Sequence, residues 1–160
     1  TQIKILIIFL IVFVFFNFFG KNFLGDGGVY GISLLIGILS IQISLQSDRL
    51  SPYFIANLLW YPAFENLFSI IRRTIYKRKN YLADNYHLHQ LIFKFLSKNK
   101  IFKKKYLLSS ITGICINFYL IIIYTIGYIF YSKTNIQVFL ILLSVLIYII
   151  VYILLLKKIR

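Results

Sequence analysis

The sequence predicts an all-α, polytopic integral membrane bundle, and three observations carry the prediction. Apolar residues make up 60% of the 160-residue chain and charged residues only 14%, whereas soluble domains are roughly half apolar and about a quarter charged. The apolar residues form long unbroken runs, unlike the alternation over about ten residues of a membrane β-strand. The basic residues gather between those runs rather than along them. Inside hydrocarbon every backbone polar group must be satisfied within a helix or a closed barrel, so the runs read as helices.

Five spans are expected in this region. A membrane-crossing helix needs about 20 residues, and the first span, residues 3–19, is uniformly apolar apart from Lys4 and Asn17. The second, residues 29–45, follows the glycine-rich turn Gly25-Asp26-Gly27-Gly28; both are short for a full crossing. Ser51-Pro52 supplies a capping hydroxyl and a proline at the first helical position, so the third span covers 52–71. Pro62 within it lacks a backbone donor and should kink or break the helix. Residues 107–131 and 136–156 form the fourth and fifth spans. Between the third and fourth, the segment 72–105 carries 11 of the 18 lysines and arginines and is read as a loop.

The net charge of +14 invites a nucleic-acid partner, but its distribution argues against one. Part of the Lys, Asn, Ile, Phe and Tyr content reflects an AT-rich coding bias. With five spans, Lys21, the 72–105 loop and the tail Lys157, Lys158 and Arg160 fall on one side, giving 15 basic residues against three on the other. The positive-inside rule then places the 20–28 turn, the basic loop and the carboxy terminus in the cytoplasm. Asp26 and the loop histidines thereby face one surface. Cys115 lies in an apolar run, and a single cysteine forms no internal disulfide. The chain opens at Thr1 and contains no methionine, which suggests the carboxy-terminal part of a longer protein.

Three clusters can carry chemistry. In Phe23-Leu24-Gly25-Asp26-Gly27-Gly28, the glycines allow close backbone approach to a ligand, helix-start amides favour phosphate, and Asp26 could hold Mg²⁺ or simply cap the second span. Glu65 lies deep in the third span, where a charge is costly and faces a polar interior. It shares a helical face with Ser69, Arg72 and Tyr76, so it either contacts substrate or is neutralised by Arg72 or Arg73. The third cluster, Asp84-Asn85-Tyr86-His87-Leu88-His89-Gln90, holds both histidines of the chain and one of its four acidic residues. His87 and His89 point to opposite sides of a helix but to one side of an extended segment. Zinc would need three or four ligands, and a phosphorylated ligand suits the basic surroundings better. Lys98, Lys100 and Lys103 to Lys105 read as contacts to anionic lipid headgroups.

Taken together, these clusters resemble the carboxy-terminal half of the polyprenyl-phosphate N-acetylhexosamine-1-phosphate transferases. Phe23 to Ser33 is similar to the family's Phe, Leu/Met-Gly-Asp and glycine-rich pattern. Pro62, Glu65, Arg72-Arg73, Asp84 and His87-Leu88-His89 are similar to its second pattern, from a proline to His-x-His-His. Residues Asn17 to Leu96 carry the resemblance, and the last two spans share only the topology. The family more often has serine at Gly28, aspartate at Glu65, arginine at Asn85 and histidine at Gln90. The His-x-His pattern and the final span resemble the N-acetylglucosamine-1-phosphate branch more than the muramyl-pentapeptide branch.

The resemblance implies transfer of N-acetylhexosamine 1-phosphate from a UDP-sugar to polyprenyl (undecaprenyl) phosphate with release of UMP, a first membrane step of cell-wall or lipopolysaccharide synthesis. It implies Mg²⁺, with Mn²⁺ as an alternative, on Asp26 as the catalytic metal ligand. Phe23 would stack on uracil beside Gly25, and His87 and His89, helped by Arg72 and Arg73, would hold the donor's sugar and phosphates. Asn17, Lys21, Glu65 and Asp84 would support them. The implied partners are polyprenyl phosphate, UDP-N-acetylhexosamine, the membrane, the amino-terminal half of the same chain with its acidic loops and, as an option, a second copy in a homodimer. Nucleic acid is not among them. The rival expectation is a non-catalytic bundle or transporter half, in which Glu65 lines a conduit and the basic loop binds lipid; the dry look of the spans argues against it.

Overall fold

A computed structural model describes residues 2–75, 84–98 and 104–159. Six helices run in order: α1 (Gln2–Phe18), α2 (Gly25–Gln46), α3 (Pro52–Ile75), α4 (Leu88–Lys98), α5 (Lys105–Ile129) and α6 (Thr134–Ile159). No strand occurs among the described residues, so the all-α class holds. Four helices, α2, α3, α5 and α6, are long and apolar enough to cross a membrane. The chain is therefore a multi-pass membrane protein by the length and composition of its helices. The apolar stretch of α1, Leu6–Phe18, is shorter than the others, so the expected fifth crossing is not carried by length.

Several boundaries differ from the sequence expectation. The Gly25–Gly28 segment is the first turn of α2 rather than a turn preceding it. Gly25 enters the helix at φ +65°, a conformation that only glycine adopts without steric cost. Gly20, at φ +68°, ends α1. There the Lys21 N–H reaches the Phe16 carbonyl at 3.1 Å and the Gly20 N–H reaches Asn17 at 2.9 Å, the paired bonds of a glycine-terminated helix.

Pro62 does not break α3, which continues unbroken to Ile75. Proline costs one bond, to the carbonyl four residues back, and packing from neighbouring helices holds the turn. Arg72 and Arg73 consequently occupy the last turn of α3 instead of a loop. The start behaves as expected: Ser51 Oγ accepts the Tyr53 N–H at 3.3 Å and also pairs with Thr134 Oγ at 3.0 Å.

The packed core belongs to α3, α4, α5 and α6. Trp60, Leu88, Leu91, Leu120, Tyr148 and Tyr152 form its buried cluster. The spans are less dry than their sequence suggests. Asn57 and Gln137 are fully buried, Asn57 Nδ2 donates to Gln137 Oε1 at 3.0 Å, and Gln137 Nε2 donates to the Gly127 and Phe130 carbonyls at 2.7 and 2.9 Å. This amide clamp ties the starts of α3 and α6 to the end of α5. By contrast α2 buries no residue.

The stretch read as a basic loop contains α4, an amphipathic helix that buries Leu88 and Leu91, leaves Lys94 half-buried and exposes Lys98. Its helical pattern is only three turns long and was hidden by the surrounding charge. Tyr76, Lys100 and Lys103 lie outside the described residues.

Candidate functional site

The site is built where the end of α3 meets the start of α4. Glu65 sits about 20 Å along α3 from Pro52 at 1.5 Å per residue and is only 7% exposed. Its Oε1 accepts the Leu88 N–H at 2.9 Å and stands 3.0 Å from His87 Nδ1. A carboxylate only accepts, so Nδ1 carries the proton of that contact. Ser69 Oγ lies 3.1 Å from the same nitrogen. An anion from α3 thus satisfies the first free amide of α4, where the helix dipole favours negative charge.

Gln90 completes the cap: its Oε1 accepts the His87 N–H at 3.2 Å. This is the reach-back half of a capping box, with His87 preceding the helix and Gln90 three residues on.

Asp84 is the second anion. Arg72 Nη2 donates to its Oδ2, Arg73 Nε stands 3.4 Å from the same oxygen, and the Tyr86 N–H donates to Oδ1 at 3.0 Å. His87 Nε2 is 3.7 Å away. Burial pushes the Asp84 carboxyl upward, but the Tyr86 amide and the charges of Arg72, His87 and Arg73 together outweigh it and hold the group below its ordinary value. Tyr152 Oη donates to the Tyr86 carbonyl at 3.1 Å, which fastens this turn to α6.

The two histidines share one side. His87 is not helical and His89 lies in the first turn of α4, so the helical rule of opposite faces does not apply. Their rings stack with centroids 5.5 Å apart and planes 14° from parallel. His87 is engaged by Glu65, whereas His89 lines an open cleft of about 260 Å³ between α4 and α5, together with Asn85, Gln90, Phe93, Lys94, Ser109 and Thr112. Lys94 Nζ donates to the Asn85 carbonyl at 2.7 Å and lies 4.7 Å from the centre of the Tyr86 ring. Sequence reading missed Lys94, Ser109 and Thr112; the three- and four-residue spacing of Leu88, Leu91 and Phe95 was the signal that could have found the α4 face.

Comparison with protein families, curated proteins and solved structures finds no match for this chain.

The glycine-rich cluster stands apart from the histidine cluster. Asp26 and Phe23 are exposed, Phe23 by 85%, and neither makes a hydrogen bond, ion pair or ring contact among the described residues. Asp26 therefore does not cap α2, whose start has no side-chain cap. Lys21 is exposed, and Asn17 Nδ2 donates to the Asn22 carbonyl at 2.7 Å, bracing the turn. That turn nevertheless lies at the same end of the bundle as the cleft. Ser110 Oγ donates to the Phe18 carbonyl at 2.7 Å, and Ser110 neighbours the cleft residue Ser109 on α5.

No three of His, Cys, Asp and Glu come together to hold a metal among the described residues. Asp26 offers a single exposed carboxylate, which by itself selects no metal. Mg²⁺ is commonly held by one or two carboxylates, with waters and substrate phosphates filling the rest.

Proposed function

We propose that this chain is part of a polyprenyl-phosphate N-acetylhexosamine-1-phosphate transferase acting at the cytoplasmic face of the inner membrane. α1, α2, α3, α5 and α6 cross the bilayer, and α4 lies along its inner surface. A phosphate oxygen of polyprenyl phosphate attacks the β-phosphorus of a UDP-N-acetylhexosamine, the bond to UMP breaks, and a lipid-linked sugar diphosphate forms.

The observation that carries this reading is the convergence of Glu65, Arg72, Arg73, Asp84 and His87. These residues span 22 positions of sequence, yet hydrogen bonds and ion pairs join them beside a cleft that holds His89 and Lys94. A purely lipid-binding loop has no need of a buried carboxylate that fixes a histidine turn.

Phosphoryl transfer depends chiefly on positioning and on charge placed around the phosphate oxygens. Here Arg72 and Arg73 hold Asp84, Asp84 and Glu65 hold the His87 turn, and that turn presents His89 and Lys94 to a phosphorylated ligand. Phe23 is free to stack on a base. Asp26 would hold Mg²⁺, which when bound neutralises charge on phosphate oxygens. Further acidic ligands of the kind found in the amino-terminal loops of such transferases complete the metal site.

The test uses the full-length protein in membranes supplied with UDP-N-acetylhexosamine and polyprenyl phosphate, measuring UMP release. Asp26→Asn should lower turnover at least a hundredfold, while leaving α4 as protected from hydrogen exchange as before. Near-normal turnover in that variant would remove Asp26 from the metal site. No UMP release from the unaltered protein with any N-acetylhexosamine donor would remove the reading itself.

A further inference from the structure

His87 and His89 are stacked but placed differently with respect to charge. His87 has a carboxylate oxygen beside each ring nitrogen, Glu65 Oε1 at 3.0 Å and Asp84 Oδ2 at 3.7 Å. His89 has neither. Its cleft offers the Lys94 cation and the amides of Asn85 and Gln90. From α5 the uncharged Ser109 and Thr112 line the cleft, and Thr112 Oγ1 donates to the Leu108 carbonyl at 2.8 Å. Glu65 acts on His89 at longer range, and Arg72 and Arg73 stand behind Asp84. Burial holds the His89 imidazole below its ordinary value, opposed by Glu65 and reinforced by the neighbouring His87.

An anion in the cleft reverses that balance, because an opposite charge at close range favours the protonated ring. A phosphate seated between Lys94 and His89 supplies the carboxylate-like neighbour that His89 lacks. We propose that the cleft between α4 and α5 takes up a phosphate group together with a proton, and that His89 is where the proton goes. The proton comes from solvent and joins the unprotonated ring nitrogen; the N–H bond is the only bond formed and none in the ligand breaks. The phosphate can belong to a nucleoside diphosphate or to a lipid headgroup, since both present the same oxygens. This inference rests on the cleft being the phosphate-holding part of the proposed transferase, and it makes a claim that transfer assays alone do not touch.

The experiment is calorimetry on the full chain in nanodiscs of uncharged lipid, titrated with UDP in buffers of different ionisation enthalpy. The expected result is uptake of up to about one proton per UDP bound, with affinity falling by as much as about tenfold per unit from roughly pH 6 to pH 8. His89→Gln should abolish the uptake, and Lys133→Gln, at the exposed turn between α5 and α6, should preserve it. In a second arm, phosphatidic acid replaces part of the nanodisc lipid. Proton uptake on lipid addition, with loss of the UDP signal, identifies a headgroup as the occupant and still supports the proposal. UDP binding without proton uptake, or uptake that survives His89→Gln, overturns the coupling and leaves the transferase reading standing. No binding of either probe at any pH overturns the phosphate site as well.

Discussion

α3 carries a buried polar cluster near each end, and the two are made of opposite materials. Near its start, Asn57, Gln137 and the Gly127 and Phe130 carbonyls are joined as neutral dipoles, with Asn57 Oδ1 left without a hydrogen-bond partner among the described residues. Near its end, the carboxyl groups of Glu65 and Asp84 are joined to His87 and Arg72, with Glu65 Oε2 and Arg72 Nε left without hydrogen-bond partners among the described residues. Neutral amides that find partners can sit inside a bundle at modest cost, whereas buried charges need both pairing and additional hydrogen bonds. The ionic cluster obtains these from α4, whose first amide and preceding histidine both contact Glu65. The comparison separates two jobs. The amide clamp holds helices together under all conditions, and the ionic cluster holds a surface helix in a way that charge can change.

The sharpest way to break the comparison is to remove Glu65. Breaking one partner of a buried charge pair typically costs about 3–5 kcal/mol. Glu65→Ala strips the acceptor from both His87 and the Leu88 amide, so hydrogen exchange across α4 should accelerate at least a hundredfold while the Gln137 end of α6 keeps its protection. Unchanged exchange in α4 would mean that Glu65 does not anchor it. The reciprocal variants act on the other end. A Cβ on Gly127 would lie 2.6 Å from Asn57 Nδ2, and overpacking of that kind costs about 1–3 kcal/mol. Gln137→Ala leaves the Asn57 amide unpaired at a similar cost, about 1–3 kcal/mol. Both should lower the unfolding temperature in nanodiscs without altering exchange in α4 relative to the rest; a selective loss of α4 would merge the two clusters into one.

Acid should tell the clusters apart with a smaller effect. Asp84 titrates below its ordinary value in the native state, so its contribution is present above the unfolded carboxylate range and is lost as pH falls through the native value. His89 also sits below its ordinary 6.5. The unfolded chain therefore binds that proton first, and stability falls as pH drops below about 6.5. The two effects share a sign. From neutrality downward α4 should loosen in two steps, first with His89 and then with Asp84, while the amide clamp shows no step. Hydrogen exchange corrected for its intrinsic pH dependence reads both regions in one sample. An α4 that tightens on acidification in the absence of an anion would contradict the His89 assignment.

How much of this was legible in the sequence follows the same division. The all-helical class and the four long spans lay open in the apolar runs, and the Ser51-Pro52 start of α3 in local chemistry alone. The ionic cluster was half legible. Glu65, Arg72, Asp84 and His87 stood out as rare charges in an oily chain, but their mutual contacts depend on α4 folding back against α3 and α6, which no local spacing dictates. Gln137 was invisible, because one amide near the start of a hydrophobic span reads as an interface residue until Asn57, 80 positions away, is brought beside it. Asp26 shows the reverse failure: its glycine-rich context suggested a turn, yet the positive φ at Gly25 lets the helix begin four residues earlier than the hydropathy did.

The smallest effect concerns Gln90, the position where the resembled family more often carries histidine. Its side chain is not aimed only at a ligand, since Oε1 accepts the His87 N–H at 3.2 Å and closes the start of α4. Glutamine and glutamate reach back over three residues in this way, and alanine does not. Gln90→Ala should therefore weaken α4 by about 0.5–1 kcal/mol, read as a modest rise in exchange at its first turn, whereas Gln90→Glu keeps the bond and adds a charge favoured at a helix start. The same glutamate would place an anion beside the His89 and Lys94 cleft and oppose a phosphate there. The pair of variants thus separates the two roles of one side chain. Alanine should cost helix stability and spare UDP affinity to within a few-fold, and glutamate should spare the helix and weaken UDP. If both variants move both quantities together, the cap and the cleft are one structure, and the division between anchor and binding surface at this end of α3 fails.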